Sequence, residues 1–289
     1  MSARQSVILC ELSKETESLI NDYVDALKNQ APQIGNHGMN THEFWQPGLF
    51  QAAIERLRGT QAATTSEKRK FIEKVLKFLK EKRKITDWKF SGSGERHDYE
   101  VHIDNRICVI EAKGCLDGNN TNIFQRPAHA DEFIIWSLCQ NPGADPRHNA
   151  WSGIHTRLSA EIIHRRERVD GLIIWDMLCG TKGRVCPKLG ANSERATEID
   201  GIWVPPPCLY LFPRTIPDAR NNCSPQCWKI NEVKFLNILC EAFGCNPQDV
   251  VEIGIEVQMS GSDVERRTIW KRDGAVVVES NWTKIKRAR

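Results

Sequence analysis

Hydrophobic residues recur at helical spacing in several segments of the chain. This spacing predicts helices over residues 6–30, 48–58 and 66–84, with Ser66 as the N-cap of the third. The apolar stripe of the third helix faces away from a strongly basic surface, which is typical of an amphipathic helix. Three further helices are predicted downstream, over residues 130–139, 154–168 and 231–243.

The period changes to two after residue 86, which indicates β-strands. Alternating segments predict strands at 87–91, 99–103 and 250–258, and apolar runs predict strands at 107–110, 171–175 and 208–212. Residues 268–270 and 276–278 flank Asp273-Gly274, a dipeptide typical of a β-hairpin turn.

The mixture of helices with alternating and fully apolar strands predicts an α/β fold. We expect a mixed central β-sheet flanked by α-helices, with loop and helical insertions, in one domain over residues 1–289. Within that domain we expect a helical N-terminal part (1–60), a core (66–175), and an irregular insertion followed by the C-terminal strands (176–289).

Composition places the chain among globular proteins. Hydrophobic residues make up 40% of its 289 residues and charged residues 27%. No run approaches the ~18 apolar residues that a membrane span needs, and the first residues lack the pattern of a signal peptide. We therefore expect a cytoplasmic protein without a membrane partner, whose eleven cysteines are mostly reduced thiols.

Basic residues are concentrated in three segments although the net charge is only +3. They crowd residues 68–84, 157–168 and the C-terminus from 284. Such patches on a balanced protein suit a nucleic-acid surface, and the alternative is that they are solvated helix faces.

The segment 92–114 places two carboxylates and an amine in reach of each other. If 99–103 and 107–110 form a hairpin, Asp98 at the start of the first strand meets Glu111 and Lys113 at the end of the second. Residues two apart on a strand share a face, so Glu111 and Lys113 project together.

This set of residue types suits phosphodiester hydrolysis. Asp98, Glu111 and the backbone carbonyl of Ala112 supply oxygen ligands for Mg²⁺. Lys113 can orient a water molecule and stabilise the transition state. The alternative interpretation is that an acid and a lysine end this strand by chance as solvated groups.

Asp98 followed by Glu111-Ala112-Lys113 after an apolar strand resembles the PD-(D/E)XK nuclease superfamily, which includes most type II restriction endonucleases. His97 stands where the motif's name has proline. The resemblance covers about twenty residues. It implies a restriction-endonuclease-like fold with Asp98, Glu111 and Lys113 as catalytic residues and Mg²⁺ as cofactor. Glu73 on the basic helix matches the additional helical acid of some members.

The resemblance further implies a Mg²⁺-dependent endonuclease that acts as a homodimer on double-stranded DNA at a short specific sequence. Two alternatives stay open: a repair, recombination or phage nuclease that recognises DNA structure, and a non-catalytic DNA-binding protein with a degenerate nuclease fold. Cleavage of plasmid at discrete sites, cleavage of flaps or junctions, and Mg²⁺-independent binding without cleavage distinguish the three.

Several further residues are candidates for DNA or metal binding. Candidates for phosphate contact are Lys70, Lys74 and Arg165, and candidates for base contact are Asn119, Asn120, Asn122, Gln125 and Arg126. An ordinary exposed loop is the alternative for the second group. Cys179, Cys186, Cys223 and Cys227 could form a structural zinc site, although their spacing favours free thiols.

Overall fold

The computed structural model of this chain describes residues 14–29, 65–92, 97–114, 126–139, 146–179, 186, 188–189 and 196–285. A mixed sheet of ten strands forms the centre of this described part, in the order β1-β2-β3-β4-β5-β8-β9-β10-β11 with β12 paired to β10. The predicted α/β class with a mixed central sheet is therefore confirmed.

The strands are short at the edges of the sheet and longer on the C-terminal side. Their bounds are β1 Asp87–Phe90, β2 Tyr99–Ile103, β3 Arg106–Lys113, β4 Glu132–Cys139, β5 Gly171–Asp176, β8 Cys208–Leu211, β9 Val251–Ser260, β10 Asp263–Arg272, β11 Ala275–Glu279 and β12 Thr283–Lys284. A separate two-stranded ribbon consists of β6 Thr197–Ile199 and β7 Ile202–Val204.

Five α-helices are present in the described residues. Their bounds are α1 Lys14–Asn29, α2 Thr65–Glu81, α3 Pro146–Ser152, α4 Ser159–Arg165 and α5 Lys234–Ala242, with a π-helix at Gly153–Leu158 and 3₁₀-helices at Ile230–Glu232 and Pro247–Asp249. The predicted helices at 66–84 and 231–243 are thus present with slightly shorter bounds. The predicted helix at 48–58 lies outside the described residues.

Two hydrophobic clusters cover the two faces of the sheet. On one face, the stripe of α2 and the apolar residues of α5 pack against alternate residues of β2, β3 and β4. On the other face, the helical segment 146–165 packs against the remaining residues of β4 and β5 and against Trp270 of β10. The two basic helices predicted from the sequence therefore lie on opposite faces of the sheet.

The predicted helix at 130–139 is wrong, because this segment is strand β4. It pairs in parallel with β3 on one side and β5 on the other, and all eight of its residues are buried. A central strand covered on both faces has no polar side, so its sequence shows no alternation and resembles a buried helix.

Smaller differences occur at loops. The predicted helix 154–168 begins earlier, at Pro146, and passes through the π-helix before ending at Arg165. Residues 197–199 form β6 within a segment expected to be irregular. The predicted C-terminal hairpin is confirmed: Asp273 and Gly274 have φ of 49° and 74°, as the tight turn between β10 and β11 requires.

None of the helices in the described part of the chain is long and apolar enough to cross a membrane.

Candidate active site at the end of strand β3

The β2–β3 hairpin brings Asp98 to the C-terminal end of β3. Tyr99 pairs with Ile110 in the antiparallel register, and the N–H of Asp98 donates to the Ile110 carbonyl at 2.9 Å. The Asp98 carboxylate accepts a hydrogen bond from the backbone N–H of Ala112 at 2.8 Å. Asp98 therefore lies directly beside the segment that carries Glu111 and Lys113.

Glu111 and Lys113 project together from β3 and form an ion pair. Lys113 Nζ lies 2.6 Å from Glu111 Oε1, and their side chains are 15% and 12% exposed. Ala112 between them contacts the cluster under α2. The structure thus brings together Asp98, Glu111 and Lys113, as the sequence predicts. Their position is partly buried but still accessible to solvent.

The electrostatics of this cluster are set by burial and by two amines. Burial raises the pKa of Glu111 above its usual value, the neighbouring Asp98 charge adds to that rise, and Lys113 and Lys68 oppose it. The two amines therefore favour the carboxylate form of Glu111 in a site where burial alone would favour its protonated form.

Lys68 of α2 is a site residue that the sequence reasoning did not single out. Burial lowers the pKa of its amine, the Asp98 and Glu111 charges raise it, and the Lys113 charge lowers it further. A signal was present in the sequence. Lys68 precedes Phe71 and Ile72 by three and four residues, which places it on the buried face of α2.

Glu73 lies beside Tyr99. The Tyr99 hydroxyl is 3.5 Å from the Arg69 carbonyl, and its pKa is raised by burial and by the Glu73 charge. No hydrogen bond or ion pair among the described residues joins Glu73 to Asp98 or Glu111.

A pocket of about 370 Å³ is lined in part by His97, Glu100 and His129. His97 is the residue that precedes Asp98 in the sequence. Glu100 is buried, with Lys89 Nζ at 3.0 Å, His102 Nε2 at 3.1 Å and His129 Nε2 at 3.2 Å. Burial alone would raise the pKa of Glu100, but the bonds from Lys89 and His129 hold it below the usual value. His97, also buried, has its Nε2 3.9 Å from this carboxylate.

The three residues predicted to contact phosphates lie in different environments. Lys70 is exposed on α2. Lys74 forms an ion pair with Asp200 at 3.1 Å, in the turn between β6 and β7. Arg165 is paired with Glu161 on α4, on the opposite face of the sheet from α2, so it does not belong to the surface around Asp98.

Arg126 does not lie beside the candidate site. Its guanidinium donates to the Asp131 carbonyl and lies 3.4 Å from the buried Asp170 carboxylate. Asp131 immediately precedes β4 and Asp170 immediately precedes the neighbouring β5, whereas Glu111 and Lys113 pair with Ile135 and Ser137 farther along β4. The role of Arg126 in base recognition stays a prediction, for a residue bound away from Asp98. The other predicted base contacts, Asn119, Asn120, Asn122 and Gln125, lie outside the described residues.

The structure contradicts the predicted zinc site, since Cys179 and Cys186 lie far from Cys227. Cys179 and Cys186 are buried in the cluster beneath α3 and α4, with Cys179 just past the C-terminal end of β5. Cys227 bridges to Pro213, which lies beyond the other end of β5. Six residues of strand separate the two ends by roughly 20 Å.

A cation at Asp98 and Glu111 would have few protein ligands. No group of three or more His, Cys, Asp or Glu side chains in the described ranges is arranged to hold a metal ion. Two carboxylates that each commit one oxygen to a protein donor, next to the Ala112 carbonyl, are a donor set that fits Mg²⁺, which keeps several of its waters.

Comparisons with known proteins found no matching family model, no matching curated protein and no matching solved structure.

Proposed function

We propose that this protein is a Mg²⁺-dependent endonuclease that hydrolyses phosphodiester bonds of double-stranded DNA. The observation that supports the proposal most strongly is the cluster of Asp98, Glu111 and Lys113 at the end of β3, with Asp98 bonded to the Ala112 N–H and Lys113 bonded to Glu111. The resemblance of the same residues to the PD-(D/E)XK motif supports it independently of the fold.

Each residue has a role that follows from its chemistry. Asp98 and Glu111 would hold the cation through their carboxylates, with the Ala112 carbonyl as a further oxygen ligand. Lys113 turns from Glu111 toward the phosphate, where its ammonium orients a water and stabilises the negative charge of the transition state. Mg²⁺, when bound, supplies the positive charge that offsets the charge building on the phosphate oxygens.

The exposed face of α2 is the phosphate-binding surface in this proposal. Lys68 is half-buried and interacts electrostatically with the two carboxylates, and Lys70 on the same helix is exposed to solvent. A DNA duplex lying along α2 would bring its phosphate backbone to the end of β3. The reason is that α2 and the end of β3 both contribute to the cluster of Lys68, Asp98, Glu111 and Lys113. Phosphate contacts of this kind position the DNA without reading its sequence.

A type II restriction endonuclease that cleaves as a homodimer is the specific form of this proposal. Two copies related by a two-fold axis would present one site to each strand of a palindromic sequence. In this form, the base-reading residues come from the segment 117–126.

The test is incubation of the purified full chain with phage DNA and Mg²⁺, beside the Asp98→Asn and Asp131→Asn variants. The two aspartates are a matched pair, because each accepts a β3 backbone N–H at 2.8 Å, Asp98 from Ala112 and Asp131 from Ile107 at the other end of the strand. We expect discrete fragments from the wild type and Asp131→Asn, and intact DNA with Asp98→Asn or EDTA.

The other outcomes distinguish the alternatives. A smear would support a nuclease that lacks sequence specificity, and cleavage limited to flaps or junctions would support one that recognises DNA structure. Binding without cleavage under Mg²⁺ or Mn²⁺ would contradict the enzymatic proposal and favour a DNA-binding protein with an inactive site.

A further inference from the structure

Two cysteines lie at the C-terminal end of α5, away from the candidate site. Cys240 is in the last turn of α5, and Cys245 follows shortly after the helix ends. The N–H of Cys245 donates to the Cys240 carbonyl at 2.8 Å, and Gly244 has a φ of 64°. This is a Schellman ending, in which a residue in the left-handed conformation turns the chain back over the last helical turn.

A Schellman ending brings the side chains of these two positions into contact. The Cys240 thiol donates a hydrogen bond to the Cys245 carbonyl oxygen at 3.4 Å. The two thiols are close enough that each shifts the pKa of the other. The backbone hydrogen bond between these two residues keeps their Cα atoms close, and disulfides join Cα atoms that are roughly 4.4–6.8 Å apart. The two sulfurs can therefore join without a large movement of the backbone.

A lysine and a third thiol surround this pair. Lys188 Nζ lies 2.9 Å from the Pro207 carbonyl and 3.6 Å from Cys208 Sγ, and Cys245 Sγ is 3.7 Å from the same Pro207 carbonyl. The neighbouring Cys245 thiol lowers the pKa of Cys240 and the Lys188 charge also lowers it, against the opposing effects of burial and the Glu241 charge. Because the thiolate is the reactive form, these surroundings favour reaction at Cys240.

We propose that Cys240 and Cys245 form a redox-active dithiol, which a small two-electron oxidant such as hydrogen peroxide converts reversibly into an intramolecular disulfide. This inference is independent of the proposed nuclease function. It rests on the Schellman geometry and on the contacts of the two sulfurs.

The reaction proceeds in two displacements. The Cys240 thiolate attacks one peroxide oxygen, the O–O bond breaks, and the departing hydroxide takes up a proton to give water and a Cys240 sulfenic acid. The Cys245 sulfur then attacks Cys240, the S–S bond forms, the S–O bond breaks, and a second water leaves with the Cys245 proton. Two thiols lose two electrons in total, one peroxide is reduced to two waters, and a thiol reductant reverses the oxidation.

The experiment uses the reduced full chain treated with graded hydrogen peroxide, followed by blocking of the remaining thiols. Glu241 lies between the two cysteines, so a protease that cuts after glutamate separates them into two peptides. We expect mass spectrometry without reduction to find these peptides linked, at lower peroxide than any oxidation of the exposed Cys223, and separated again by dithiothreitol.

Three variants sharpen the result. Cys240→Ser should abolish the linked peptides, whereas Cys208→Ser and Cys223→Ser should leave them unchanged. Linkage of Cys245 to Cys208 in the wild type, or oxidation of Cys223 before any Cys240–Cys245 linkage, would overturn the proposal. The wild-type peptide map decides this even if a variant folds poorly.

Discussion

Two clusters of acids and cations at opposite ends of the β3–β4 pair differ in how completely their carboxylates are bonded. Asp170, which is 1% exposed, accepts from the Phe133 N–H at 2.8 Å and the Trp228 indole N–H at 3.0 Å, and it pairs with Arg168 at 3.0 Å and Arg126 at 3.4 Å. At the other end, Asp98 and Glu111 each have one hydrogen-bond donor among the described residues, Ala112 N–H and Lys113.

This difference distinguishes an acid with a structural role, Asp170, from acids that can still bind a ligand, Asp98 and Glu111. A buried carboxylate with three hydrogen-bond donors and a further ion pair has little left to offer a cation or a substrate, and it stabilises the fold by satisfying the groups around it. The acids at the end of β3 leave acceptor oxygens uncommitted in a partly buried site, which is the arrangement a metal-dependent enzyme requires. Removal of an acid should therefore affect stability at one end and activity at the other.

The largest effect is expected at Asp170. Asp170→Ala removes the carboxylate partner of two guanidinium groups and the acceptor of the Phe133 and Trp228 N–H groups, so the free energy of unfolding should fall by about 3–5 kcal/mol. Urea unfolding measures it. Asp263→Ala is the control, since this aspartate forms an exposed pair with Lys284 and its loss should cost less than ~1 kcal/mol. Equal losses in the two variants would contradict the structural role of Asp170.

Glu111→Gln should act in the opposite way. We expect the rate of DNA cleavage to fall by at least about 100-fold, because the amide no longer supplies a charged ligand. The free energy of unfolding without Mg²⁺ should not fall, since burial already disfavours the charge at this position. The exposed Glu198→Gln should cleave at the wild-type rate. A variant that loses stability as Asp170→Ala does would place Glu111 among the structural acids.

Glu132, at the start of β4, should have an intermediate effect on stability. Its carboxylate accepts the N–H groups of Lys234 at 2.6 Å and Phe235 at 3.0 Å, which are the first residues of α5. Glu132→Ala leaves this helix start uncapped, at a cost of about 1–2 kcal/mol measured by urea unfolding. Cleavage by the folded variant should be normal. Unchanged stability would mean that these two hydrogen bonds contribute nothing net.

The pH dependence of Glu111 should be the smallest effect. Because burial raises its pKa in the folded state, cleavage should decline on acidification at a higher pH than for an ordinary glutamate. A raised pKa of Glu111 also makes the free energy of unfolding depend on pH. The stabilisation is complete below the pKa that Glu111 has in the unfolded state, and it is lost as pH rises through the pKa of the folded state. Without Mg²⁺, Glu111→Gln should therefore flatten that fall in stability with rising pH. Identical pH profiles of stability would contradict the shift.

Much of this arrangement could be predicted from the sequence because it depends on local periodicity. The β2–β3 hairpin follows from alternation on one side of the Asp104-Asn105 turn and an apolar run on the other, so the position of Asp98 beside Ala112 was predictable. The hairpin around Asp273-Gly274 was predictable for the same reason.

Features that depend on distant parts of the chain could not be predicted in this way. Strand β4 has no polar face because helices cover both sides of the sheet. Its hydrophobic pattern therefore predicted a helix where the structure has a strand. Arg126 follows a polar loop in sequence but binds Asp170, whose position depends on the pairing of β4 with β5. The sequence places Lys68 on the buried face of α2, but its approach to Asp98 and Glu111 depends on how α2 packs on the hairpin.

The most direct measurement of the central claim is the initial rate of phage-DNA cleavage by Lys113→Met and by Lys271→Met, at equal protein and Mg²⁺ concentrations. Lys271 is a lysine on β10 of the same sheet, several strands away. If Lys113 stabilises the transition state, its removal should slow cleavage by about 10²–10³-fold while Lys271→Met retains the wild-type rate. Equal rates for the two variants, or no cleavage by the wild type, would contradict the assignment of this cluster as an active site.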